Sequence, residues 1–555
     1  MQELESHSDL PRDATQEEID SLLHEVADIP LTAWLLSFTG AAAQFARFGI
    51  TITWQNYLQN PRGSNPSPGA LGLGQAKASI IQNAYLFFQY LTPLPFAILS
   101  DMWIGRYKTM IISLVLLILG YVILFATALP SALDHGAGLG GLIAAMILSG
   151  LGQGGLSATL YPFIADQIPT TRSQVKRGSN GTLVVTDRQL AVQYVFNGYY
   201  WMVNIAALSS IPTTLLEKHT GFWAAYLLPT AILIIASIPA IVWHKKLVKV
   251  PPQANALPHA GKILIYACRA RFHLSAAEPE YQRHYYNRIV PWSSTFVKEI
   301  RRGLKGCRVI LCFVIFWLCY NQTTNNIISQ AGQAEQHGLS NDTFQALNPI
   351  ACIIIGPLLQ NLLFPFLRRR KVSFGPILRM TVAFFFIAAG LAYGAGFQQL
   401  IYSRGPCYRY PLECAAATNT TTRRDAITMD EPRPNEVNVW IQTPLHFLLA
   451  TGEILGIVSL NEYTQHEAPI STKAMVRALQ EIAAAAAAAL GIGLGPVSKN
   501  PYLTILFATL AATMALSAVV FWLAFRKYDL EYDIGNKEAE GSDREATSDA
   551  PAKIE

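Results

Sequence analysis

Long apolar stretches separated by shorter polar ones run through most of this chain. A stretch of about 20 apolar residues is long enough to cross a bilayer core of about 30 Å as a helix. Twelve stretches meet this length, and we number them spans 1 to 12: 31–58, 76–100, 108–129, 138–164, 189–212, 221–243, 307–327, 344–366, 375–397, 439–461, 472–495 and 501–525. The pattern predicts an all-α membrane protein with twelve transmembrane helices.

A polar segment divides these spans into two groups of six. The predicted organisation is a cytosolic disordered tail, an N-terminal six-helix bundle, a cytoplasmic linker, a C-terminal six-helix bundle and a second disordered tail, over 1–29, 30–243, 244–305, 306–527 and 528–555. Within the linker, apolar residues recur every four positions over Ser293–Lys305, which predicts an amphipathic helix along the membrane face. The linker can equally be a passive tether, since loops of this length need no function of their own.

Composition and charge agree with a membrane location. Of the 555 residues, 51% are hydrophobic and 14% charged, whereas about a quarter are charged in soluble domains. The net charge of +5 is small for this length and gives no reason to expect a nucleic-acid partner. Lys and Arg concentrate in the loops that share a side with both tails, so the positive-inside rule places both termini in the cytosol. No apolar core of a cleavable signal peptide precedes span 1. We expect a multi-pass monomer in the plasma membrane.

The longest loop on the opposite side, residues 398–438, carries residues typical of an oxidising compartment. Cys407 and Cys414 share this loop, and their spacing permits a disulfide bond without proving one. Asn419 begins a glycosylation sequon, and Asn341 begins another in a second outward loop. Sequons also occur by chance, so both remain candidates. A third, at Asn321, lies inside span 7 and is discounted.

Two charged residues lie deep inside predicted spans, where ionisable groups are costly and therefore functional candidates. Glu453 has apolar neighbours on both sides in span 10, and Arg47 lies about two-thirds of the way along span 1. The structural alternatives are a carboxyl kept only for packing and an arginine that reaches towards the interface. Because Glu453 is the one acid in the middle of a span, we hypothesise that it interacts with Arg47.

Uncharged polar residues cluster in two further spans. Amides can donate to or accept from a peptide-like ligand, although they also hold helices together in membranes. The residues are Tyr320, Asn321, Gln322, Thr323, Asn325 and Asn326 in span 7, and Asn197, Tyr199, Tyr200, Trp201 and Asn204 in span 5.

Ordered motifs resemble a known transporter family. The loop from Asp101 to Lys108, with Gly105-Arg106 at its centre, resembles the loop between helices two and three of major facilitator transporters. The wider context resembles the fungal branch of the proton-dependent oligopeptide transporter family. The matching motifs are Leu91-Thr92-Pro93-Leu94, Pro162 to Gln167, Tyr200 to Ile205, Phe316 to Gln322, Ser329 to Gln333, Asn348-Pro349, Glu453, Glu462-Tyr463, Ala468-Pro469 and Lys473. The resemblance implies the major facilitator fold, with Asp101, Gly105 and Arg106 in a cytoplasmic gate.

The chain departs from this family at its charged positions. Typical members carry Glu-x-x-Glu-Arg-Phe in helix one. In this chain Gly40 and Ala43 stand at the positions of the two acids, and Gln44 stands at the position of the arginine. The family's helix-four lysine corresponds to Ser157. Glu453, which in the family faces the amino end of the peptide, is retained and could still exchange a proton. Arg47, three residues past Gln44, could act as a relocated carboxylate anchor.

The sequence therefore predicts a secondary transporter of small peptides or peptide-like metabolites that works by alternating access between two bundles. The expected substrate contacts are Arg47, Tyr200, Asn204, Asn321, Asn348 and Glu453, and Glu453 is the candidate for proton coupling. The alternatives are an uncoupled facilitator, an exporter of a secondary metabolite, and a solute sensor that no longer transports. An enzyme is not expected, because no metal-ligand spacing, nucleophile motif or paired catalytic acids occur. No cofactor or metal is predicted.

Overall fold

The computed structural model of the chain is mostly helical. It describes residues 12–15, 18, 22–64, 66–169, 174–177, 183–251, 256–271, 273–370, 374–414, 422–423, 426–427, 433–467 and 473–548. Up to residue 251 the helices are α1 (Leu31–Thr51), α2 (Trp54–Gln59), α3 (Gln75–Leu91), α4 (Pro93–Leu99), α5 (Arg106–Thr127), α6 (Pro130–Asp134), α7 (Ala137–Asp166), α8 (Arg188–Ala207), α9 (Ser210–His219) and α10 (Phe222–Val242).

The second half of the chain continues in the same way. Its helices are α11 (Ala256–Arg269), α12 (Pro279–Tyr286), α13 (Ser294–Tyr320), α14 (Asn326–Gly332), α15 (Leu347–Leu358), α16 (Phe364–Arg369), α17 (Pro376–Ser403), α18 (Thr443–Glu453), α19 (Ser459–Glu467), α20 (Lys473–Gly493) and α21 (Leu503–Ser548). Single π-helical turns occupy Ser100–Ile104, Leu359–Leu363 and Ile454–Val458. Short 3₁₀ turns occupy Leu274–Ala277, Asn321–Thr324, Asn341–Ala346, Val439–Gln442 and Gly495–Val497.

All twelve predicted spans are helical over most of their length, but not all are continuous. Eight helical segments of the described residues are long and apolar enough to cross a membrane, and the number is nine if the bent pair Ser294–Leu304 and Arg308–Gly332, which includes span 7, is counted as one span. Span 1 is interrupted by a turn between α1 and α2, and span 2 by Pro93, which starts α4. Pro93 stands at the start of α4, where a residue without an N–H is well tolerated.

The chain divides into two compact units. The first comprises Met1–Thr51, Thr92–Thr213 and Trp223–Ala254, and the second comprises Ile52–Leu91, Thr214–Phe222 and Asn255–Glu555. The second unit therefore includes two segments from the N-terminal half of the chain. These segments are α2 with α3, and the end of α9.

The first unit depends on close packing between α5 and α7. A Cβ atom added at Gly152 would lie 2.7 Å from the Ser113 carbonyl oxygen and 2.7 Å from Leu117 Cγ. Only glycine fits at this distance, and small residues at such contacts let membrane helices approach closely.

The second unit has an aromatic core. Phe384 of α17 lies 5.2 Å from Phe313 of α13 and 5.0 Å from Phe521 of α21, measured between ring centroids. All three side chains are fully buried. Tilted and edge-on ring contacts of this kind add to the energy of burial, so this core ties the helices of three spans together.

The N-terminal tail differs from its predicted disorder. Strands β1 (Arg12–Asp13), β2 (Leu23–Val26), β3 (Gln174–Arg177) and β4 (Leu183–Asp187) form a sheet in the order β1-β3-β4-β2, within the first unit. β2 runs parallel to β4, and His24 Nδ1 lies 3.0 Å from Asp187 Oδ2. Strands this short carry little hydrophobic pattern, and their partners lie far away in sequence, so the pairing was not predicted.

Two further boundaries differ from the prediction. The expected amphipathic helix at Ser293–Lys305 is the first part of α13, which continues into span 7, and its Val297 and Ile300 are buried in a cluster with Met475. At the other end α21 extends well past residue 527, and the Asp529 carboxylate accepts hydrogen bonds from the backbone N–H groups of Ile377 and Leu378 at 2.8 and 2.9 Å. Asp529 thus satisfies free donors at the start of α17.

The remaining strands, β5 (Ala334–Glu335), β6 (Thr422–Arg423), β7 (Ala426–Ile427) and β8 (Asn435–Asn438), form two small two-stranded pairs, β5 with β8 and β6 with β7. Cys407 and Cys414 are joined by a disulfide bond. The buried Asn435 side chain donates to the carbonyl groups of Ile401 and Tyr408 and orders the same loop.

Candidate functional site

Glu453 lies in a small polar cluster of the second unit. It is the last residue of α18, directly before the π-helical turn Ile454–Val458. The Asn348 amide donates to Glu453 Oε2 at 3.0 Å, Cys352 Sγ lies 3.8 Å from the same oxygen, and the Tyr320 hydroxyl also hydrogen-bonds the carboxylate. Single π turns within helices often occur at functional sites.

The helices explain why these residues meet. Asn348 and Cys352 are four residues apart on α15, so both side chains lie on one face of that helix. Asn348 Nδ2 also approaches the Tyr320 hydroxyl at 3.3 Å, while its Oδ1 has no hydrogen-bond partner among the described residues. Glu453, Asn348 and Tyr320 were candidates from the sequence, whereas Cys352 was not, although its four-residue spacing from Asn348 could have identified it.

The polar run of span 7 is used in two ways. Gln322 and Asn326 bond to each other at 2.7 Å, and Gln322 also donates to the Leu318 carbonyl. Asn326 also accepts from the Gln75 side chain of α3 at 3.1 Å and donates to the Ser498 hydroxyl at 3.2 Å, so it links span 7 to other parts of the second unit. The Asn321 side chain is buried, and its Nδ2 has no hydrogen-bond partner in the described part of the chain.

Arg47 has neutral partners in the first unit. Its Nε donates to Gln44 Oε1 at 2.8 Å, and its guanidinium group lies 4.0 Å from the centroid of the Phe48 ring. The hypothesis that Arg47 interacts with Glu453 stays a prediction.

The span 5 candidates show different surroundings. Asn204 donates to the Tyr200 carbonyl of its own helix at 2.9 Å, and about half of the Tyr200 surface is exposed. Tyr199, one residue earlier, is buried against Tyr161 of α7. The face of α8 that carries Tyr200 is therefore not the face that packs inside the first unit.

The packing around Gly40 bears on the absence of the first acid of the family's helix-one motif. A Cβ atom added at Gly40 would lie 2.3 Å from Leu160 Cδ2 and 3.0 Å from the Tyr199 ring. Ala43 is fully buried and Ser157 is exposed. Leu160 and Tyr199 thus occupy the space that an acidic side chain at position 40 would need.

The three predicted gate residues meet at the loop between spans 2 and 3. Gly105 has φ of +82°, a conformation that favours glycine. The next residue, Arg106, contacts two carboxylates. Its Nε lies 3.4 Å from Asp101 Oδ1, and its Nη1 donates to both oxygens of Asp166 at 2.8 Å. Asp166 lies in the family motif Pro162 to Gln167, but it was not predicted to be a gate residue.

The predicted glycosylation sites have separate outcomes. Asn341 is buried, and its Nδ2 donates to Asn56 Oδ1 at 2.8 Å and to the Ile328 carbonyl at 3.0 Å. A glycan on this nitrogen would break both hydrogen bonds, so the structure argues against glycosylation there. Asn419 lies outside the described residues.

Comparison with known proteins identifies the family. The family model PTR2, described as the POT family, matches residues 107–514. The chain is 36% identical to the peptide transporter PTR_A of Candidozyma auris over 96% of this chain and 87% of that protein, and 34% identical to the probable peptide transporter ptr2 of Schizosaccharomyces pombe over 96% and 83%.

A solved structure shows the same fold. The crystal structure of the POT family transporter PepTSo matches with a TM-score of 0.69 at 16% identity, over 91% of this chain and 99% of that one. These matches confirm the predicted all-α, multi-pass membrane fold and exclude the enzyme alternative. The chain belongs to the POT family of transporters.

Proposed function

We propose that this chain carries small peptides or peptide-like metabolites across a membrane by alternating access of two bundles, residues 30–243 and 306–527. The relatives named as peptide transporters support the substrate class. Glu453 contacts the amino end of the solute, and Asn348 and Asn321 offer amide groups beside it. Arg47, Tyr200 and Asn204 are the proposed contacts from the other bundle.

The observation that carries this proposal is the neutral surroundings of Glu453. Its hydrogen-bond partners, Asn348, Tyr320 and Cys352, are all uncharged, and no salt bridge joins it to a basic residue in the described part of the chain. A carboxylate inside a membrane protein is costly unless a positive charge or a proton neutralises it. The amino group of a peptide supplies such a charge.

Proton coupling is the finer part of the proposal. Glu453 can hold a proton when the solute site is empty and release it when an amino group arrives. An uncoupled facilitator is the second candidate, and it is favoured by the packing of Leu160 and Tyr199 into the space next to Gly40. We further propose a monomer in the plasma membrane with both termini cytosolic, in accordance with the distribution of Lys and Arg.

Uptake of a small peptide library into proteoliposomes tests the proposal. Uptake is measured at two external pH values, with and without a protonophore, for the wild type and for Glu453→Gln. The matched control is Glu436→Gln, because Glu436 is an exposed acid of the same unit. Proton-coupled transport predicts that the protonophore and Glu453→Gln each abolish accumulation, while Glu436→Gln behaves as the wild type.

Other outcomes separate the alternatives. A facilitator predicts uptake that ignores the protonophore but still falls in Glu453→Gln. Solute binding without flux under any gradient would overturn the transport proposal in favour of a sensor. Wild-type uptake in Glu453→Gln would show that this carboxyl contacts neither solute nor proton.

A further inference from the structure

Two buried carboxyl groups lie close together at the end of the second unit that carries the loops following spans 1, 5 and 7. We call this end the outer end. Glu217 lies near the end of α9, and Asp342 lies in the 3₁₀ turn Asn341–Ala346 before α15. Only 2% of the Glu217 surface and 0% of the Asp342 surface is exposed. All the residues concerned belong to the second unit.

Amide groups surround this carboxyl pair. Asn56 of α2 donates to Glu217 Oε1 at 3.1 Å and to Asn341 Oδ1 at 2.7 Å, and Asn341 donates back to Asn56 Oδ1 at 2.8 Å. We refer to Asn56, Glu217, Asn341 and Asp342 as the outer cluster. It joins the N-terminal half of the chain, through α2 and α9, to the start of span 8.

The donors around the two carboxyl groups are too few for two negative charges. The carboxyl groups of Glu217 and Asp342 lie within hydrogen-bonding reach of each other. Apart from this contact, neither Asp342 oxygen nor Glu217 Oε2 has a well-aligned donor among the described residues, although the Ser340 hydroxyl and the Thr343 amide lie close to Asp342. An ionised carboxylate buried in this way would be strongly destabilised.

Among the described residues, no salt bridge neutralises the pair. Lys218, the next residue of α9, directs its ammonium group to the Leu339 carbonyl oxygen at 2.6 Å. His219 lies at the exposed end of the same helix, and the neighbouring residue of α2, Tyr57, packs on Phe222. No salt bridge connects Glu217 or Asp342 to Lys, Arg or His in the described ranges.

Two carboxyl groups in contact away from water hold at least one proton between them, because both cannot be ionised. Burial, followed by the neighbouring Asp342 carboxyl, raises the pKa of Glu217 well above its usual range. When the outer end opens and water reaches the pair, both groups ionise and the proton leaves to the outer solution. A state that binds a proton more tightly is favoured when protons are abundant.

We propose that Glu217 and Asp342 form a proton-binding site whose occupation closes the outer end of the carrier. This proposal rests on the proposed alternating-access function and adds a second proton site to it. One proton is taken up from the outer solution on closing, forms a hydrogen bond between the two carboxyl groups, and is returned on opening. No other group gains or loses a charge.

Hydrogen exchange of the full-length protein in nanodiscs tests this directly. Protection of the amides in 54–59 and 341–346 is compared at about pH 5 and about pH 8 after correction for intrinsic exchange, and a proton-linked equilibrium changes by up to about tenfold per pH unit. We expect the wild type to lose protection as the pH rises. Glu217→Gln and Asp342→Asn, which mimic the protonated form, should stay protected at both pH values.

Controls keep the test independent of folding and of transport. Glu436→Gln, an exposed acid of the same unit, should keep the wild-type pH dependence. The amides of 106–127 serve as an internal reference, and their corrected exchange should not change between the two pH values in any variant. If one variant fails to fold, the other gives the same comparison. A flat pH profile in the wild type, or an unchanged profile in Glu217→Gln, overturns the proton site. Peptide uptake is measured separately, so a failure of transport leaves the exchange result interpretable.

Discussion

The space next to Gly40 gives a quantitative test of why the charged motif of span 1 is absent. Gly40→Ala would normally stabilise a helix interior by roughly 0.5 to 1 kcal/mol, because alanine loses less conformational freedom than glycine. In this structure the added Cβ atom would lie 2.3 Å from Leu160 Cδ2. Inserting a methyl group into a packed core costs about 1 to 3 kcal/mol, so the clash should outweigh the gain and Gly40→Ala should destabilise the protein.

A double-mutant cycle isolates this contact. Leu160→Ala alone leaves a cavity and should cost about 2 to 5 kcal/mol. In the double variant the new methyl group occupies part of that cavity, so the two costs should not add, and contacting residues show interaction energies of about 0.5 to 3 kcal/mol. The free energy of unfolding is measured by denaturant titration of the purified carrier in detergent.

The control for this cycle is Gly396→Ala in α17, where an added Cβ atom has nothing within 4 Å. This variant should be neutral or slightly more stable than the wild type. If Gly40→Ala is as stable as Gly396→Ala, or if the costs of Gly40→Ala and Leu160→Ala simply add, then the space is free. The loss of the acid would then need another explanation.

Two further predictions concern ion pairs of the first unit. Arg106→Lys keeps the charge but cannot reproduce the planar donors that meet Asp166, so we expect a stability loss of about 1 to 2 kcal/mol and slower uptake, with the exposed Lys108→Arg as control. The second concerns Asp187: burial raises its pKa, but hydrogen bonds from His24 and from backbone amides outweigh this, so the pKa lies below the ordinary value of 3.8. A carboxyl with a lowered folded pKa stabilises the fold above its unfolded pKa, and this contribution is lost as the pH falls through the folded value. Hydrogen exchange of β2 should therefore accelerate on acidification in the wild type and show little pH response in Asp187→Asn.

Hydrophobic patterning predicted twelve spans. All are helical over most of their length, and eight helical segments of the described residues, or nine with the bent pair, are long and apolar enough to cross a membrane. The patterning could not show the interruptions that shape the site. The π turn after Glu453 has ordinary apolar residues, Ile454–Val458, and no sequence signal marks the change in backbone geometry. Pro93 gives only a partial signal, because Pro162 and Pro239 stand inside the continuous helices α7 and α10.

For a related reason, the sequence did not predict the partners of single polar residues that pair with residues far away in the chain. Glu217 is one acid in a short polar segment, and its partner Asp342 lies 125 positions away. Asn341 was assigned to a sequon, although its amide is needed to pair with Asn56. Asp529 was placed in a disordered tail because nothing in the sequence shows that it reaches the start of α17. In each case the residue type was visible and the tertiary partner was not.

The two carboxyl sites have different chemistry, and this difference bears on coupling. Glu453 has neutral partners, and we propose that a proton and the amino group of a solute compete for its oxygen atoms. At the Glu217–Asp342 pair, Glu217 Oε2 and both Asp342 oxygens have no donor and no salt bridge among the described residues, so the proposed ligand there is a proton alone. Competition at Glu453 exchanges solute for proton, whereas the outer pair binds a proton only when the outer end is closed. A carrier without the acids of span 1 can therefore keep a proton requirement for closing that is separate from the exchange we propose at Glu453.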